Sequence, residues 1–214
     1  MPSDAQAREI VASQYQAMHK RPATPQAVRA IQLVGRLETR YGLAKPFPGS
    51  FNWGAVQLCK PGAKNCAPEG QCPENGFLHE DSYPRPDGSS VKYAVCFRKY
   101  TDDNDGARGL ITNLTTARQK LWPLLDSGDA WLIAAAMYDS TYYQGFGKTR
   151  EDRIDGYARA FERNDAEVSA ALGGPRLVRY SGKKAPLGAA SSGGGGEGFV
   201  LLLGLAGLGL ALRK

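Results

Sequence analysis

The segment from Thr24 to Gly42 constrains the fold of this 214-residue chain more than any other. Thr24 before Pro25 is a helix start, with a side-chain N-cap followed by the residue best tolerated at the first helical position. Inside it, Ala27, Ile31, Val34 and Glu38 follow a 4, 3, 4 spacing that places all four on one stripe. Three apolar members press that stripe against a core, so the helix carries a carboxylate inward. Desolvation and the negative end of the helix dipole both disfavour a charged carboxylate there, and the pKa of Glu38 is expected to rise. The alternative is a slight rotation that lets Glu38 pair with Arg36, Arg40 or another surface cation.

Around this helix the pattern is mainly α, with a small antiparallel β-hairpin region. A first helix is expected over residues 4–19. Later ones are expected over 105–121, over 129–140 after Ser127-Gly128-Asp129, and over 150–172 after Thr149, with Ile154, Tyr157 and Phe161 on the inner face of the last. Between them lie a short strand around Trp53 to Leu58, a cysteine-bearing insertion, and a strand in which Tyr93, Val95 and Phe97 alternate. A hydrophobic content of 42% supports a real core. The expected organisation is one domain over 1–174, closed by Gly173-Gly174-Pro175, then a Gly/Ser/basic linker over 175–198 and a hydrophobic tail over 199–214.

Glycoside cleavage needs a carboxylic acid that stays protonated near neutral pH, the property a buried Glu38 would have. Glu38-Thr39-Arg40-Tyr41-Gly42 is followed ten residues on by Asn52-Trp53-Gly54-Ala55-Val56-Gln57. This pairing resembles the lysozyme-like superfamily of peptidoglycan hydrolases and lytic transglycosylases. Asp81 to Gly88, Tyr93 to Tyr100 and Met137 to Gly145 resemble its later hairpin and tyrosine motifs, so the likeness spans roughly residues 25–160. It implies a lysozyme-like helical domain that cleaves the glycan strands of peptidoglycan, with Glu38 as general acid/base. Asn52, Trp53 and Gln57 would line the sugar cleft, Trp53 by stacking on a sugar or by core packing, and Tyr142 or Tyr143 would orient substrate or the catalytic carboxyl. Asp81 is the candidate second carboxylate, against a plain role in capping its own turn. No metal or organic cofactor is implied. The rival class is a non-catalytic wall-binding or virion structural protein on the same fold.

Cys59, Cys66, Cys72 and Cys96 all fall in the hairpin region and allow two disulfides in three connectivities, with Cys96 expected to clamp back to the insertion. Their C-x6-C-x5-C-x23-C spacing lacks the close pair usual for zinc, and a staple outside the reducing cytoplasm is favoured. Gly145-Phe146-Gly147-Lys148-Thr149 ends like a phosphate-binding loop, but the glycine required earlier is Tyr142. The two histidines, His19 and His79, accompany no serine or cysteine nucleophile motif, and Asn113-Leu114-Thr115 is a sequon inside an expected helix.

The net charge of +6 favours anionic partners, and without a long basic run or an aromatic-interleaved basic patch the wall and the membrane are preferred to nucleic acid. Phe199 to Leu212 is a charge-free run ending at Arg213-Lys214, about 21 Å long as a helix against a hydrocarbon core of about 30 Å. Membrane association through this tail is expected, its rival being a greasy helix packed on the domain or a partner. The opening residues lack the apolar run of a secretory signal. That combination suggests an envelope protein, or a phage protein in a virion membrane that breaches the wall on entry.

Overall fold

The computed structural model describes residues 2–177, apart from 65, 85–88, 144 and 146 and the side chains of 83 and 84. The expected tail, most of the linker and the Arg85-to-Gly88 part of the hairpin motif lie outside the described residues. Among the described residues, five helices, α1 (Asp4–His19), α2 (Pro25–Thr39), α3 (Asp103–Thr115), α4 (Ala130–Asp139) and α5 (Arg150–Leu172), form the body together with a 3-10 turn at Trp122–Ser127. Three strands, β1 (Gln57–Cys59), β2 (Gly76–Pro84) and β3 (Ser90–Arg98), form an antiparallel sheet in the order β1-β3-β2. The fold is mainly α with a small β part, as expected from the sequence.

Side-chain caps set the helix starts. Thr24 Oγ1 accepts from the Ala27 amide at the head of α2, and Thr149 with Asp152 forms a reciprocal capping box that begins α5. α3 is shorter than the pattern suggested. Thr115 returns its hydroxyl to the Ile111 carbonyl, a local bond that competes with helix propagation, and the chain turns before Pro123 enters the 3-10 segment.

α2 is the axis of the body, and the simple two-faced reading of it was too modest: 12 of its residues are buried, polar Arg29, Gln32 and Glu38 among them. It is walled in by α1, α3, α5 and the 3-10 turn, so its non-stripe residues must be satisfied internally. Gln32 Nε2 donates to the Asp4 carbonyl, and Arg29 donates to the Gly173 carbonyl and pairs with buried Asp165. The main core gathers Val11 and Tyr15 of α1, Ile31 and Val34 of α2, Leu110 and Leu114 of α3, and Ile154 and Phe161 of α5.

The sheet has its own smaller core of Phe47, Ala55, Val95 and Phe97, with Phe77 and Tyr93 packed on it. Residues 53–56, expected to begin a strand, instead form a tight turn with left-handed φ at Phe51 and Ala55, and β1 starts only at Gln57. The turn lies so close to α3 that a Cβ on Gly106 would sit 1.9 Å from the Phe51 carbonyl oxygen. β2 was expected only as an insertion running into a hairpin. Its polar His79-Glu80-Asp81 centre carries no alternating apolar signal, yet Gly76 to Pro84 pair residue for residue with β3. Disulfides join Cys59 to Cys66 and Cys72 to Cys96, the second tying β3 back to the 60–75 loop.

Candidate active site

Glu38 lies in the last turn of α2, where the helical body meets the sheet, and is 1% exposed. The sequence alternative of pairing with an arginine is not what forms. Arg36 turns to Asp4, Asn164 and Glu167, and Arg40 is an exposed cap. The Tyr157 hydroxyl of α5 donates a hydrogen bond to Glu38 Oε1, while buried Oε2 has no hydrogen-bond partner among the described residues. An ionised carboxylate left in this way loses hydration that nothing replaces; a neutral carboxyl loses far less. Burial, reinforced by the charge of Asp81, pushes the Glu38 carboxyl up to about 8 against the hydrogen bond from Tyr157, which favours the ionised form. At neutral pH this environment favours the neutral carboxyl.

Asp81 projects from the middle of β2, directly opposite Tyr93 of β3, and is also buried. Its surroundings differ in kind. Oδ2 accepts from the Tyr93 hydroxyl at 3.0 Å and from Gln57 Nε2 at 3.3 Å, and Oδ1 accepts from the Ser82 amide at 2.8 Å. Burial raises its pKa, but these donors all oppose that rise by favouring the carboxylate. The two acids are near enough for the charge of one to act on the other.

Tyrosines complete the helical side. Tyr157 stacks on Tyr143 with ring centroids 4.0 Å apart and meets Phe161 edge-on at 5.0 Å, which fixes its hydroxyl toward Glu38. Burial, with the Glu38 charge behind it, holds the Tyr142 and Tyr157 phenols well above their ordinary pKa, so both remain hydroxyl donors.

Several other expected site residues take structural positions instead. Trp53 is fully buried, packs against Tyr41 at 5.0 Å and donates from Nε1 to Asp103; it has no face open to a sugar. Asn52 is equally buried. Its amide donates to the Val56 and Arg98 carbonyls and its carbonyl accepts from the Val56 amide, so all its polar capacity clasps the turn to β3. The Tyr142 and Tyr143 hydroxyls are bound to the Gly54 and Ala134 carbonyls and do not reach Glu38 as donors. Gln57, partly exposed on β1, reaches the site through its hydrogen bonds to Asp81 and Tyr93.

The residues that sequence reasoning missed are Tyr157 and Tyr93, both read only as packing positions. The available signal was chemical: a tyrosine on an apolar stripe buries a hydroxyl that must find a partner. For metals, the one close group of three or more candidate ligand side chains among the described residues is made of cysteines; Glu38 and Asp81 belong to none.

No family model matches the chain, and no curated protein matches it. Among solved structures, the catalytic domain of the autolysin Auto from Listeria monocytogenes matches with a TM-score of 0.39 and 12% identity, over 80% of this chain and 85% of that one.

Proposed function

We propose that this protein cleaves the glycan strands of bacterial peptidoglycan, with Glu38 as general acid/base and Asp81 as its charged counterpart. The observation that carries the reading is Glu38 itself: a buried carboxyl with one oxygen held by Tyr157 and the other unpartnered. The substrate class rests on the order and spacing of the Glu38-to-Gly42, Asn52-to-Gln57 and later motifs, which resemble the lysozyme-like superfamily.

In this reaction Glu38 gives its proton to the glycosidic oxygen as the bond from that oxygen to the anomeric carbon breaks. Positive charge develops on the sugar, and the Asp81 carboxylate opposes it. Glu38, now ionised, takes the proton from the attacking hydroxyl, which is either water or the sugar's own 6-hydroxyl. A glycan strand must reach a carboxyl that is 1% exposed, so substrate binding has to displace the side chains that cover Glu38. The net charge of +6 favours retention on an anionic wall, and the apolar run at 199–212 is assigned to membrane attachment at an envelope or virion membrane.

That same burial favours a second reading, a wall-binding or virion structural protein in which Glu38 never meets a sugar. Digestion of purified peptidoglycan by the oxidised full-length chain in detergent, beside Glu38→Gln, separates the two. Release of soluble fragments by the native protein and not by the variant supports catalysis, with reducing or anhydro ends in the mass spectrum identifying the attacking hydroxyl. Absence of release from several wall types by folded protein overturns it.

A further inference from the structure

The two disulfides are not separate staples. The sulfurs of Cys59, Cys66 and Cys96 all lie within 4.8 Å of one another, and Cys72 is bonded to Cys96. Across the two bridges, Cys66 Sγ and Cys96 Sγ are 3.9 Å apart. A tetrahedral zinc ion with bonds to sulfur of about 2.3 Å sets its ligands about 3.8 Å apart, so this spacing is that of one edge of a thiolate site.

Half of the frame that gathers the sulfurs does not depend on oxidation. Cys59 and Cys96 are register partners on β1 and β3, fixed by the sheet. Cys66 and Cys72 come from the loop between β1 and β2, and that loop has unusual need of them. From Lys60 to Asn75 the sequence contains no valine, leucine, isoleucine, methionine or aromatic residue. Most of its described backbone bonds are local turns, such as the Gly62 amide to the Ala67 carbonyl and the Gln71 amide to the Pro68 carbonyl, and only at its far end does the Asn75 carbonyl accept from the Lys99 amide beyond β3. A loop with so little apolar surface to bury is held to the sheet chiefly through sulfur. Cysteines leave the ribosome as thiols, so the loop needs another tether until oxidation occurs.

We propose that the reduced chain binds one zinc ion through Cys59, Cys66, Cys72 and Cys96, and that this metal holds the 60–75 loop against the sheet wherever the disulfides are open. The spacing argument against zinc concerned neighbours in sequence; the β1–β3 ladder brings the ligands together from distant positions. Opening both disulfides consumes four electrons and four protons from a thiol reductant, which becomes a disulfide, and metal binding then releases the four thiol protons. The proposal is independent of glycan cleavage.

The full-length protein, reduced without oxygen in detergent, is titrated with cobalt(II) and then with zinc. One cobalt per chain is expected, with the intense visible bands of tetrahedral thiolate coordination, displaced by zinc and absent from the oxidised protein and from the C59S/C66S variant. In wild-type protein, zinc at ten times its Kd should slow tryptic cleavage after Lys64 about tenfold relative to the reduced metal-free chain. A pale octahedral spectrum, full-strength bands in C59S/C66S, or a cleavage rate indifferent to zinc would each overturn the site.

Discussion

The two walls of the candidate site hold the same functional group by opposite means. On the helical side, Glu38 ends a helix buried on every face, in the large core built around α2, and meets one hydroxyl with one oxygen left over. On the sheet side, Asp81 stands on a small core closed by disulfides, and each of its oxygens accepts from a donor that favours the ionised state. Burial raises the pKa of both, yet one environment withholds hydrogen bonds and keeps a proton, and the other supplies donors that oppose the rise. Burial alone does not assign acid and carboxylate; the donors around each group do.

The comparison breaks first at Glu38. Glu38→Gln should lower fragment release from peptidoglycan by about 10³-fold while leaving circular dichroism unchanged, since a neutral amide replaces a neutral acid. Next comes the stability of the sheet side alone. Replacing Cys72 and Cys96 with serine should cost the oxidised protein about 3 kcal/mol in denaturant unfolding, with protection from hydrogen exchange lost first in β2 and β3 and last in α2. Asp81→Asn should reduce kcat by about 10²-fold. It should also move the basic limb of the pH–rate profile downward, because the charge that helps hold the Glu38 proton is gone.

Stability against pH sharpens the contrast without any substrate. The folded-state pKa of Glu38 is raised to about 8 from an ordinary 4.5, so between those values the unfolded chain has released a proton that the native protein keeps. Unfolding free energy from this group should therefore fall as pH rises through that window, by about 1.4 kcal/mol per unit, and Glu38→Gln should abolish that slope. The smallest effect is expected for Tyr157→Phe. Removing the bond that favours the ionised form should raise the Glu38 pKa further and shift the basic limb upward, opposite in sign to Asp81→Asn, with kcat reduced about tenfold or less.

The helical wall was the more legible of the two in the sequence, for a physical reason. The 4, 3, 4 stripe encodes the burial of Glu38 directly, and the Thr149 cap marks the start of α5. The enclosure of Arg29 and Gln32 was not legible, because their partners are a distant aspartate and backbone carbonyls that no pattern displays. The sheet wall is written in pairings between distant residues. The polar centre of β2 resembles a loop until β3 lies beside it, and the Tyr93 hydroxyl that meets Asp81 is invisible in the alternation that marks its strand. Asn52 and Trp53 show the limit of residue type as a guide: an amide and an indole suit a sugar cleft, and serve equally well to clasp a turn and fill a core.

The most direct measurement is a carbon-13 NMR titration of the glutamate side-chain carboxyls in the free, oxidised protein, with Glu38→Gln assigning the resonance. A Glu38 carboxyl that titrates near pH 8 is the expected result and makes it the proton donor at neutral pH. A midpoint near 4.5 would show a charged carboxylate at the end of α2 and contradict its role as the acid.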